Sequence, residues 1–177
     1  MVVVGAIGVL NLVLTLGVIR RLRARHDPPP NPPTQPSRLS PVRATGAPVG
    51  AFTTWTSQGE PVSTRFFADG ITLVGAFTEG CPACQEQLPA FLELARSFSG
   101  GRQRALVLLV GDPEALADKH RLLAPIATVV HEPEHAGRLG TALGIRAYPA
   151  FAIIDGDGVV RASGAEIEEL LLALVEV

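Results

Sequence analysis

From Pro48 onward, short uninterrupted apolar runs take turns with stretches patterned as helices, and this alternation restricts the fold more than any other feature of the chain. "ITLVGAF" (71–77) and "RALVLLV" (104–110) are brief, continuous and rich in branched residues, so both read as buried strands. Between them, the segment after Cys81 reads as a helix to about Ser99, stopped by Gly100-Gly101. Asp112-Pro113-Glu114 signals a second helix start, with aspartate at the cap and proline in the first turn. "ATVVHEP" predicts a short edge strand and "EHAGRLGTALGI" a weakly patterned helix. "AFAIIDGDGVVRASG" reads as a hairpin about an Asp-Gly turn, and "AEIEELLLALVEV" as a closing helix. Upstream, "AFTTWTSQGEPVSTRFF" predicts a hairpin or two short strands around Gln58-Gly59. The expected class is α/β, a central mixed β-sheet flanked by helices.

The first part of the chain differs in kind. Residues 2–19, "VVVGAIGVLNLVLTLGVI", carry no charge and would span roughly 27 Å as a helix, near the minimum for crossing a bilayer. Residues 1–25 are therefore expected to be one N-terminal transmembrane anchor with a basic flank. A cleaved signal peptide fits less well, because no basic segment precedes the run and "RRLRARH" is no small-residue cleavage site. Residues 27–48 hold eight of the fifteen prolines and read as an extended spacer, so that 26–46 would be linker and 47–177 the folded domain. Charge divides along the same line: residues 1–45 carry six Arg against one Asp, whereas residues 46–177 carry nine basic and sixteen acidic side chains, a net of −7. Nucleic acid is not expected as a partner of so acidic a domain. With 47% hydrophobic residues the chain can build a core without disulfide staples.

Its only two cysteines stand three residues apart, in "FTEGCPACQEQLP" (77–89). The loop they could close is too small to constrain an unfolded chain much, which argues against a purely structural disulfide. A zinc site is a second reading, since His131 and His135 have His-x3-His spacing, but forty-six positions separate Cys84 from His131. Both histidines are otherwise expected to be solvated beside Glu132 and Glu134. The third reading is redox exchange. Cys81 falls just past a buried strand, near the first turn of a helix, where unpaired N–H groups and the helix dipole stabilise a thiolate; Cys84 follows one turn on. Pro82 suits the first helical turn, where its missing N–H is no loss.

"ITLVGAFTEGCPACQEQLPAF" resembles the strand, Cys-x-x-Cys and helix of thioredoxin-like proteins, including a helix proline, Pro89. "GIRAYPAFAIIDGDGVVRASG" resembles the second signature of that family, in which a cis proline, here Pro149, faces the cysteine pair. With "GAPVGAFTTWTSQGEPVS" upstream, residues 46–177 are similar to the membrane-tethered oxidoreductases of TlpA, ResA and MauD type. The resemblance implies thiol–disulfide exchange with partner proteins, with Cys81 as nucleophile and Cys84 as resolving thiol. It further implies a substrate groove shaped by Pro149 and flanked by Tyr148 and Ala150. No cofactor beyond the Cys81–Cys84 disulfide is implied, no metal, and a monomeric soluble domain.

The sequence departs from that pattern in three places. An aromatic residue usual before the motif is replaced by "FTEG". Gly75 stands where thioredoxin has a buried aspartate, and Gln87 where TlpA and ResA types tend to place a glutamate. Glu79 and Glu86 are left as candidate proton acceptors for Cys84, or as plain exposed charges at a helix start. A peroxiredoxin shares the fold and the Thr78-x-x-Cys81 spacing, but Val74 replaces its signature proline; a non-catalytic redox sensor or assembly factor is a further alternative. The relatives keep this domain outside the cytoplasmic membrane, whereas Arg20, Arg21, Arg23 and Arg25 after the anchor favour the cytoplasm by the positive-inside rule. The family placement is adopted here as the expectation.

Overall fold

The computed structural model describes residues 40–175, with side chains to Leu172. The anchor read at 2–19 and the spacer up to Leu39 lie outside the described residues. Within these, no helix is long and apolar enough to cross a membrane. Packing begins at Ser40, inside the stretch read as linker: Pro41 and Val42 are buried, and the Arg43 amide donates to the Leu143 carbonyl at 3.1 Å.

A small hairpin opens the domain, β1 (Thr53–Trp55) with β2 (Pro61–Ser63), followed by a 3₁₀ turn at Thr64–Phe67. The two predicted buried strands are β3 (Thr72–Thr78) and β4 (Ala105–Val110), paired in parallel. They are joined by α1 (Pro82–Ser97). The next helix, α2 (Ala117–Leu123), starts later than its signal. Asp112 instead caps a preceding turn, its Oδ1 accepting from the Glu114 amide at 3.0 Å. β5 (Thr128–Glu132) is the edge strand, parallel to β4, and α3 (Arg138–Leu143) follows. The hairpin β6 (Ala150–Ile154) and β7 (Val160–Gly164) leads to α4 (Ile167–Val175). Strand order is β5-β4-β3-β6-β7, with β6 antiparallel to β3.

Helices cover both faces of this sheet, which is why β3 and β4 are apolar at nearly every position rather than alternating. One face packs Leu73, Phe77, Val107 and Leu109 against α1, α2 and α4. The other packs Val74, Ala76, Leu106 and Leu108 against α3 and the N-terminal hairpin. Because β3, β4 and β5 are parallel, their carboxyl ends lie along one edge, and the loops there bring together the end of β3, the start of α1 and the loops after β4 and β5.

Candidate active site

The loop from Thr78 to Cys81 leaves β3 and enters α1. It is fixed by three contacts, two to the last residue of β4 and one to the loop just after it. The Thr78 hydroxyl donates to the Val110 carbonyl at 2.9 Å and the Glu79 amide donates to the same oxygen at 3.3 Å. In return, Glu79 Oε2 accepts from the Asp112 amide at 3.0 Å. Gly80 then adopts φ +60°, a left-handed turn open to glycine without strain, and delivers Cys81 to the helix N-cap.

Cys81 and Cys84 are joined as a disulfide, with Cα atoms 5.2 Å apart. Pro82 occupies the first helical turn, as its chemistry suggests. The two sulfurs have unequal surroundings. Cys84 is wholly buried among the apolar residues under α1, whereas Cys81 is only half-buried. The Cys84 amide donates to Cys81 Sγ at 3.1 Å, so the cap that the helix start requires is supplied by the sulfur itself. After reduction the same N–H and helix N-terminus favour negative charge on Cys81.

Tyr148 and Pro149 are linked by a cis peptide bond, and the Tyr148 carbonyl oxygen lies 3.8 Å from Cys81 Sγ. The sulfur carries no proton in the disulfide, so this is a contact that only the reduced thiol could use as a donor. Pro149 is buried, and Ala150 heads β6 opposite Ala76 of β3 with its side chain in the core. The cysteines of the first signature and the proline of the second, 65 positions apart in sequence from Cys84 to Pro149, thus meet at one end of the sheet.

The positions where carboxylates were missing are filled by packing. At Gly75 a Cβ would come within 2.6 Å of the Phe91 ring. That ring stacks on Phe151 at 5.7 Å and meets Phe77 edge-on at 5.3 Å. Gln87 Oε1 accepts from the Ile167 amide at 3.1 Å and so ties α1 to the first turn of α4. Of the two candidate acceptors, Glu79 is engaged by the Asp112 amide and Glu86 is exposed.

The reading of the two histidines as solvated holds for His135 but needs correction for His131, and the Glu132 beside it is buried. Glu132 is 4% exposed, its two oxygens accepting from the Leu139 and Gly140 amides at 2.7 and 3.1 Å, which secures the start of α3. His131 is half-buried, and its Nε2 atom is enclosed without a hydrogen-bond partner. Burial and the neighbouring His120 push its pKa down against the pull of Asp112. His135 is exposed and packs its ring 5.2 Å from that of Tyr148. Among the described residues there is no group of three or more His, Cys, Asp or Glu side chains placed to hold a metal ion.

Tyr148 spans both faces of the core. Its hydroxyl is buried without a partner, and desolvation, with a smaller contribution from the Glu132 carboxylate, pushes its pKa up to about 12. Neither this environment nor the burial of Glu132 could be read from "ATVVHEP", where the charged residue closes an edge strand and gives no periodic signal.

The Redoxin family profile matches residues 44–170. No curated protein matches the chain. Among solved structures, the fold is similar to the thioredoxin domain of a thiol-disulfide oxidoreductase from Bacteroides vulgatus (TM-score 0.55, 18% identity, 76% of this chain and 97% of that one). It is also similar to a DsbF homologue from Corynebacterium diphtheriae (0.58, 15%, 81% and 96%) and to a thio-disulfide isomerase from Thermus thermophilus (0.55, 19%, 76% and 96%). At these identities the likeness establishes a thioredoxin-like fold.

Proposed function

This chain belongs to the Redoxin family, and from that premise we propose that it is a membrane-anchored thiol–disulfide oxidoreductase acting on partner proteins through Cys81 and Cys84. The observation that carries the reading is the inequality of the two cysteines: Cys81 half-buried at a helix N-cap, Cys84 sealed beneath it. Disulfide exchange needs one thiol that a partner can reach and a second that only the first can reach. In the reducing direction, the Cys81 thiolate attacks one sulfur of a partner disulfide, forming a mixed disulfide and releasing one partner thiolate. Cys84, deprotonated, then attacks Cys81 Sγ. That bond becomes the Cys81–Cys84 disulfide, the partner leaves with its second thiolate, and two electrons have passed to it. The oxidising direction is the same sequence reversed. Tyr148, Pro149 and Ala150 would border the partner's main chain beside the Cys81 sulfur.

Peroxide reduction at Cys81 is less well supported, because the Thr78 hydroxyl is directed to the Val110 carbonyl. Turnover of insulin disulfides by the reduced protein tests the proposal: the expected result is catalytic turnover lost in Cys81→Ser. Stoichiometric oxidation without turnover would favour a redox sensor, and rapid saturating sulfenate formation with hydrogen peroxide a peroxidase.

Anchoring through residues 2–19 and an extracytoplasmic domain belong to the same proposal, supported by hydropathy and by the resemblance to tethered oxidoreductases. Labelling of reduced Cys81 in intact cells by a membrane-impermeant maleimide is the expected result. Labelling only after lysis would place the domain in the cytoplasm, as the arginine cluster suggests.

A further inference from the structure

Glu79 stands two residues before Cys81 and is exposed, yet its side chain folds back onto the chain that follows β4. Its Oε2 accepts from the Asp112 amide at 3.0 Å, and Gly111 is the residue it crosses. A Cβ on Gly111 would stand 2.8 Å from Glu79 Cδ and 2.9 Å from Cγ, so only a glycine leaves room for the carboxyl there. Gly111 itself is held from another side, its amide donating to the Glu132 carbonyl at the end of β5 at 3.0 Å. The clasp therefore rests on a segment already fixed to the sheet.

The next residue has no such support. A Cβ on Gly80 would meet nothing within 4 Å, and at φ +60° this glycine holds one of several conformations open to it. Cys81 must nevertheless keep its Sγ 3.1 Å from the Cys84 amide for the helix start to act on the sulfur. That influence is confined to the first turn and depends on the alignment of the N–H group. Among the described residues, the hydrogen bonds that fix the loop ahead of Cys81 are those of Thr78 and Glu79, and only the Glu79 carboxyl reaches past the end of β4. As a bare charge the same carboxylate would act in the opposite sense, because negative charge near a thiolate disfavours it.

We propose that Glu79 is a positioning residue for the exchange reaction: by clasping the Asp112 amide it holds Cys81 Sγ at the start of α1, where the Cys84 N–H group stabilises the attacking thiolate. The inference rests on the thiol–disulfide reading and gives this glutamate a role other than accepting the Cys84 proton. Three variants separate the clasp from the charge. Glu79→Gln keeps a carbonyl oxygen that can accept from Asp112 and loses the charge; Glu79→Asp keeps the charge and is one methylene too short; Glu79→Ala loses both. The acidity of Cys81 is read from the pH dependence of iodoacetamide alkylation of each reduced protein, Cys84 being sealed. Glutathione redox buffers give the dithiol–disulfide equilibrium. The acid dissociation constant of Cys81 is expected to be about tenfold smaller in Glu79→Asp and Glu79→Ala than in Glu79→Gln. The equilibrium should move toward the disulfide in the same two variants by up to about tenfold, or about 30 mV. Glu79→Gln should leave Cys81 at least as acidic as in the parent, since a nearby negative charge is gone. Equal acidity in all three variants, or an Asp variant that matches the parent while Gln and Ala become more acidic together, would overturn the positioning role. Absence of insulin turnover by the parent would count against the exchange reaction alone, because alkylation and the redox equilibrium still decide how Cys81 is held.

Discussion

Gly75 illustrates what a single residue can mean in a core that has no spare room. An aspartate in that place is expected from thioredoxin, and its absence reads in sequence as a missing proton acceptor. In space the position is closed by Phe91, whose ring leaves no volume for any side chain. Gly75→Ala is therefore expected to lower unfolding free energy by about 1–3 kcal/mol, the usual cost of overpacking, in urea denaturation. An unchanged midpoint would mean that the aromatic cluster yields more readily than its geometry suggests. Tyr148, the only tyrosine, permits a second test at this scale. Its pKa of about 12 lies above the unfolded value near 10, so its contribution to stability is fully present below pH 10 and is lost as pH rises toward 12. Ultraviolet titration should place the phenol midpoint near 12, and Glu132→Gln should lower it; an ordinary midpoint in the folded protein would contradict the buried placement. Asp155 behaves in the opposite sense. The Val159 amide, then Arg161 and the Asp157 amide, hold its carboxylate below the usual range. Its contribution is present above the unfolded carboxylate range and fades as pH falls through the folded value. Asp155→Asn should cost about 1–2 kcal/mol at neutral pH, with the deficit shrinking in acid.

Secondary structure was most legible where burial is two-sided. β3 and β4 are continuous apolar runs, and no other element type in an α/β layer calls for that composition at that length. The stop of α1 before Gly100-Gly101 and the β6–β7 hairpin were readable for similar local reasons, glycine freedom and turn chemistry. Boundaries set by tertiary contacts were not. Asp112 serves a turn rather than the helix, because its own amide is claimed by Glu79 across the sheet edge. Residues 40–46 were grouped with the spacer, yet Val42 is buried and Arg43 bonds to the end of α3, a contact with a partner a hundred residues away. Gln87 is a comparable case: its amide oxygen caps the first turn of α4. Gln87→Ala should cost about 1 kcal/mol. Hydrogen exchange should locate the loss in α4, and uniform loss across the domain would argue against a capping role.

The whole domain acts as a device for bringing distant sequence to one edge. Parallel β3 and β4 carry the Cys-x-x-Cys loop and its Glu79 clasp there, and antiparallel β6 returns Tyr148 and Pro149 to meet it. The meeting was legible because both signatures could be read in order. The buried Glu132 and the partnerless His131 were not, since each depends on how β5 packs against α2 and α3. The central claim is a division of labour between an accessible and a sealed sulfur. Trapping tests it most directly: Cys81→Ser and Cys84→Ser variants, each reduced, are mixed with a disulfide-bonded protein and resolved without reductant. Accumulation of a reductant-sensitive mixed disulfide by Cys84→Ser and not by Cys81→Ser is predicted; equal trapping by both, or trapping through Cys84 alone, would contradict the account.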